Sequence, residues 1–186
     1  MATHQELCEK ADKWLRTKCN CSTVITELKA KTRTGEIPDS IGFKSTRSKT
    51  TRSILIECKT SRADFRADAK KEFRADPKMG MGDFRFYLCP EGVIKVDDLP
   101  EKWGLLYDMG EGKPLKVIHG PKGSYWSREY AFQFKGNKET EMMLMLSALR
   151  RIQEEEPDVF KEKVYKKAPP RARRRKRTYK SSRIAA

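Results

Sequence analysis

At 186 residues the chain has room for one domain with a genuine core plus an appendage, and too little for two ordinary domains. Its hydrophobic fraction of 37% is low and its charged fraction of 36% is high, but the apolar residues fall in short runs, which excludes wholesale disorder. No run approaches the ~20 apolar residues of a membrane span, and the first residues lack the apolar centre of a signal peptide, so the expectation is a cytoplasmic protein with no membrane partner. Without an export signal, the five cysteines read as reduced thiols.

In chain order, residues 5–17 put Leu7, Ala11, Trp14 and Leu15 on one helical face, which predicts an amphipathic helix packed on a sheet. Residues 23–28 (TVITEL) and 53–59 (SILIECK) are short and rich in β-branched side chains, as strands are. Between them, residues 38–43 predict a third strand entered through a turn at Gly35. Ser61 followed by Asp64 has the form of a capping box, so a helix is expected to start at Ser61. Along it Phe65, Ala69 and Phe73 make an apolar row for the core. Arg62, Arg66 and Lys70 make a basic row, and Asp64, Asp68 and Glu72 an acidic one. Pro77 and the glycines at 80 and 82 end that element in a flexible loop.

Residues 84–89, 92–96, 104–107 and 115–118 read as further strands. Residues 139–153 read as a helix whose Met142, Met145, Leu146, Leu149 and Ile152 stripe is expected to pack in the core. The order predicts an α/β fold, a mixed sheet flanked by helices, over residues 1–165. Residues 166–186 are expected to be a flexible, disordered basic tail. They hold ten of the chain's positive charges and no acid, so they supply most of the net +15. Such a tail is drawn to polyanions, and Arg173, Arg174, Arg175, Lys176 and Arg177 are its candidate nucleic-acid contacts.

The strand at 53–59 turns from apolar to charged at its end, and two-residue alternation puts Glu57 and Lys59 on one face with Cys58 on the other. Asp39 begins a neighbouring candidate strand. Two carboxylates and an ammonium at a sheet edge are what metal-assisted phosphodiester hydrolysis requires. Hard oxygens hold Mg²⁺, and a lysine orients or helps deprotonate water while it neutralises charge on the phosphate.

Gly-Glu-Ile-Pro-Asp at 35–39, followed by Ser-Ile-Gly-Phe and then by a strand ending Ile-Glu-Cys-Lys-Thr-Ser, resembles the PD-(D/E)XK, or restriction-endonuclease-like, nuclease superfamily. It is especially similar to small phage and bacterial members in which the acid-x-Lys strand leads through a Ser to an Asp-Phe pair opening a helix, here Ser61 and Asp64-Phe65. The likeness runs over roughly residues 27–107. It implies a metal-dependent DNA endonuclease, with Asp39, Glu57 and Lys59 catalytic. Asp39, Glu57 and the Cys58 carbonyl would bind Mg²⁺ or Mn²⁺.

The family often adds another glutamate, for which Glu6, Glu27 and Glu36 are the candidates here. Arg62, Arg66 and Lys70 are candidate contacts to the DNA partner. Many such enzymes act as homodimers, an arrangement the sequence leaves open. Asp64 is read as a helix cap rather than a site residue. A different chemistry, zinc held by His4, Cys8, Cys19 and Cys21, fits no standard finger spacing. Two other readings stand beside the nuclease: a non-catalytic nucleic-acid-binding protein on the same scaffold, and an adaptor that presents its charged surface to another protein.

Overall fold

A computed structural model describes residues 2–45, 50–121 and 130–161. The basic tail, with Arg173 to Arg177, lies outside the described residues. The chain separates into two units, Met1–Arg151, which holds the sheet, and Ile152–Ala186, whose described residues are the last turn of a helix and the turn after it. No helix among the described residues is long and apolar enough to cross a membrane.

The fold is α/β. Helix α1 (His4–Thr17) leads to strands β1 (Thr23–Thr26), β2 (Ser40–Ser45) and β3 (Thr51–Cys58). Helices α2 (Arg62–Asp68) and α3 (Glu72–Ala75) precede β4 (Phe84–Pro90), β5 (Gly104–Asp108) and β6 (Lys116–His119), and α4 (Lys138–Glu155) follows. The six strands lie in the sheet in chain order. The pairs β3–β4 and β4–β5 are parallel and the others antiparallel, so the sheet is mixed.

Alternation along β3 and β4 divides the core in two. Ile54, Ile56, Cys58, Phe84, Phe86 and Leu88 meet Leu7, Cys8, Ala11, Trp14 and Leu15 of α1. Leu55, Tyr87 and Leu105 face the other way, onto Phe65 of α2, Trp103, Phe134 and Leu144 of α4. The capping box that starts α1 is reciprocal: Thr3 Oγ1 accepts from the Glu6 N–H, and Glu6 Oε2 accepts from the Thr3 N–H at 2.7 Å. Gly104 is required by a close approach, since a Cβ there would stand 2.4 Å from the Phe86 ring opposite it in the sheet.

Four expectations fail. The helix starting after Ser61 is not continuous: Ser61 Oγ caps it by accepting from the Asp64 N–H, but α2 ends at Asp68 and α3 starts at Glu72. In a straight helix residues 68 and 74 would point about 120° apart. The break lets both Asp68 and Arg74 turn inward to one ion pair, while Ala69 of the expected apolar row is exposed.

Residues 92–96 form no strand. Gly92 takes φ +82° in a turn, and a 3-10 turn at Val96–Asp98 is closed by Asp98 Oδ2 accepting from the Lys95 N–H. The segment at 80–83 is buried rather than a loose loop, because Arg85, itself buried, donates through Nη2 to the Pro77 and Gly80 carbonyls at 2.7 and 2.8 Å.

Lastly, α4 is rotated away from its apolar stripe. Met142, Leu146, Leu149 and Ile152 are exposed, and the buried positions are Thr140, Glu141 and Leu144. The helix is anchored by Glu141, whose Oε1 accepts from Ser53 Oγ at 2.6 Å and from the Gly82 N–H at 2.9 Å, while Lys138 bridges Glu141 and Asp83. A buried carboxylate must keep such partners, and here that requirement sets the helix's rotation.

Candidate active site

The candidate residues gather where β2 begins and β3 ends. The antiparallel register pairs Ser40 with Ile56, so one step further sets Asp39 opposite Glu57. Asp39 Oδ2 accepts from the Cys58 N–H at 2.7 Å, which ties the carboxylate to the end of β3. Lys59, on Glu57's face, brings Nζ to 3.3 Å from Glu57 Oε2 and 3.5 Å from Asp68 Oδ1. Glu57 and Lys59 are almost wholly buried; Asp39, with about a fifth of its side chain exposed, is where solvent reaches the set.

The cation at the centre of the cluster, Arg74, is not among the residues singled out from the sequence. Arg74 projects from α3 among three carboxylates. It pairs with Glu36 through Nη1, with Asp68 through Nε at 2.8 Å, and with Glu57 through Nη2 at 2.8 Å. Its guanidinium carbon lies 5.0 Å from the Trp103 ring centroid and 4.8 Å from that of Phe73, so cation–π attraction adds to the ion pairs. Trp103 in turn stacks on Tyr87 at 4.3 Å, and the Tyr87 hydroxyl donates to Asp68 Oδ2. Glu36 Oε2 also accepts from the Met81 N–H.

Of the three candidate glutamates, Glu36 joins this cluster through Arg74, Glu27 lies beside His4 near Asp39, and Glu6 is spent on the α1 cap. Of the basic row, Arg62 is bound to Asp98 through both terminal nitrogens, whereas Arg66 and Lys70 are exposed and pair with no described residue. The four-ligand zinc set does not assemble. Cys19 and Cys21 are buried in the core beside Leu15 and Gly42, and burial pushes the Cys21 thiol up to about 11.

Electrostatics assign the protons. Burial drives Glu57 up to about 7, with the Asp39 charge adding to the rise and Arg74 and Lys59 opposing it. Burial likewise raises Asp39 against the pull of Lys59 and the Cys58 N–H. Burial disfavours charge on Lys59, but Glu57, Asp68 and Asp39 more than offset it, and its pKa lies above the ordinary value. The neighbouring acids thus favour the ammonium form of Lys59, which can orient and donate. Asp68 is also desolvated, but Arg74 and Lys59 hold it well below the usual carboxylate range.

The donor set suits a hard divalent cation. Glu57 Oε1 is buried with no aligned hydrogen-bond donor, and so is Arg74 Nη2, although the two stand at ion-pair distance. A cation at Glu57 Oε1 and an anionic oxygen at Arg74 Nη2 would each have to replace this ion pair.

No protein-family model matches the chain, and no curated protein matches it. Among solved structures, the SPO1766 protein of unknown function from Silicibacter pomeroyi is similar to it, with a TM-score of 0.52 and 22% identity over 86% of this chain and 95% of that chain. At that identity the likeness bears on the fold alone.

Proposed function

We propose that the chain is a Mg²⁺- or Mn²⁺-dependent DNA endonuclease of the PD-(D/E)XK kind. The observation that carries this reading is the placing of Asp39, just before β2, at the end of β3 by its bond from the Cys58 N–H, beside Glu57, with Lys59 Nζ 3.3 Å from Glu57 on the same face. Asp39, Glu57 and the Cys58 carbonyl would hold the cation, which when bound supplies Lewis acidity toward the phosphate. Lys59, fixed as an ammonium, would orient the attacking water and offset charge gathering on the phosphate oxygens. Arg74 Nη2, once released from Glu57 by the cation, would donate to a phosphate oxygen. The basic tail, with Arg66 and Lys70, would supply salt-sensitive affinity for the DNA backbone.

Cleavage of supercoiled plasmid by wild type and Glu57→Ala, in Mg²⁺, in Mn²⁺ and in EDTA, tests this. Metal-dependent nicking lost in the variant is the expected result, and nicking retained by a clean Glu57→Ala preparation sinks the assignment. One observation favours a second reading, a non-catalytic DNA-binding scaffold: Glu57 is buried and already compensated by Arg74 and Lys59. That protein would bind DNA without a metal and leave plasmid intact in every condition.

A further inference from the structure

On the other side of Asp39 from Glu57, α1 and the end of β1 bring together side chains of a different chemistry. His4 and Cys8 are four residues apart on α1, hence on one helical face, and His4 Nε2 lies 3.4 Å from Cys8 Sγ. Glu27 follows β1 with a left-handed backbone, φ +49°, while its N–H donates to the Asp39 carbonyl; its Oε1 lies 3.3 Å from the same His4 nitrogen. The ligand atoms of His4, Cys8 and Glu27 all fall within 4.8 Å of one another. Asp39 Oδ1 is 3.6 Å from His4 Nε2.

The His4–Cys8 and His4–Glu27 separations, which a hydrogen bond and an ion pair also give, match those of ligands around one ion. With bonds of about 2.0–2.1 Å to nitrogen and oxygen and about 2.3 Å to sulfur, the edges of a tetrahedral zinc site are about 3.3–3.7 Å. The set is also asymmetric in the way an ion requires. Cys8 is buried and hydrogen-bonded to the Cys58 thiol, whereas His4 and Glu27 keep 41% and 49% of their side chains exposed, so an ion has a route in and a fixed floor.

We infer that His4, Cys8 and Glu27 form a metal site for a zinc-class ion, with its fourth position facing Asp39. A sulfur and an imidazole nitrogen among three ligands select Zn²⁺ or Co²⁺ over Mg²⁺ and Ca²⁺. On binding, the Cys8 thiol proton passes to solvent and the sulfur bonds the ion as a thiolate, accepting the hydrogen bond of Cys58. The site borders the nuclease reading at Asp39 but does not depend on it: it uses neither Glu57 nor Lys59, and its readout is the ion itself.

The test is a Co²⁺ titration of the full chain under reducing conditions, followed by optical absorption, with Zn²⁺ as competitor. Wild type should show the intense visible bands of tetrahedral Co²⁺ together with a sulfur-to-cobalt charge-transfer band, all displaced by Zn²⁺. Cys8→Ser should lose the charge-transfer band, and His4→Ala and Glu27→Gln, both at exposed positions that the fold does not need, should weaken Co²⁺ binding at least tenfold. Glu57→Gln should leave the spectrum unchanged. Weak six-coordinate bands without sulfur character, a spectrum indifferent to His4→Ala and Glu27→Gln, or one abolished by Cys19→Ser would overturn the inference. Should Cys8→Ser fold poorly, the two exposed variants decide alone.

Discussion

Replacing Glu57 with Gln isolates the electrostatic cost of the charged end of β3. In the folded chain this carboxyl titrates at about 7, against 4.5 for an ordinary glutamate. Between those values the folded protein keeps a proton that the unfolded chain has released. Its stabilising contribution is therefore full below pH 4.5 and is lost as pH rises through 7. A displacement from 4.5 to about 7 corresponds to about 3 kcal/mol. Glutamine keeps the shape and does not titrate. Urea midpoints followed by fluorescence of the buried Trp14 and Trp103 should fall for wild type between pH 5 and 8, relative to Glu57→Gln, by an equivalent of about 3 kcal/mol. Asp39, raised in the same direction, is present in both proteins, and because its charge adds to the rise of Glu57 the difference between the profiles reports the coupled pair. Asp68, lowered, acts only below pH 4, outside the window. Parallel profiles for the two proteins would refute the reasoning, since they would mean that Arg74 and Lys59 compensate Glu57 fully.

Two further outcomes concern stability. Arg74→Met leaves Glu36, Glu57 and Asp68 buried without their shared cation and should cost about 3–5 kcal/mol in urea or thermal unfolding; a loss under 1 kcal/mol would show that the three acids simply protonate. Gly104→Ala drives a Cβ into the Phe86 ring and should cost about 1–3 kcal/mol, partly recovered in the double variant with Phe86→Leu; equal stability of wild type and Gly104→Ala would show that β5 can shift away.

Most of the sheet was legible because strands in this chain are short β-branched or aromatic runs set between turn residues, and Asp39, Glu57 and Lys59 sit where apolar character stops. The surrounding charges were not legible, and one tetrapeptide shows why. Phe-Arg-Ala-Asp occurs twice, at 65–68 and 73–76. Both phenylalanines are buried, but in the first copy Arg66 is exposed and Asp68 buried, while in the second Arg74 is buried and Asp76 exposed. Identical local chemistry takes opposite places because the break between α2 and α3 resets the helical phase, and the break is favoured by partners on β3 and at Glu36, far away in sequence. The α4 stripe misled for a related reason. Apolar periodicity reports which face could be buried, whereas the buried Glu141 anchor decides which face is. Glu27, His4 and Cys8 were each candidates from the sequence, but for different sets, and their grouping emerged only once α1 was laid across the sheet.

The sheet also has a temporal meaning. Because strand order equals chain order, each strand pairs with the one made just before it, and no strand waits for a distant partner to be synthesised. Asp39, Glu57 and Lys59 are all present once the third strand has left the ribosome, but the cation that neutralises Glu36, Glu57 and Asp68 arrives only with α3. Until then Glu57 and Asp68 have Lys59 but not Arg74 to pair with. Their full set of partners is thus complete only when the fifteen residues that follow Lys59 and end in Arg74 have been made.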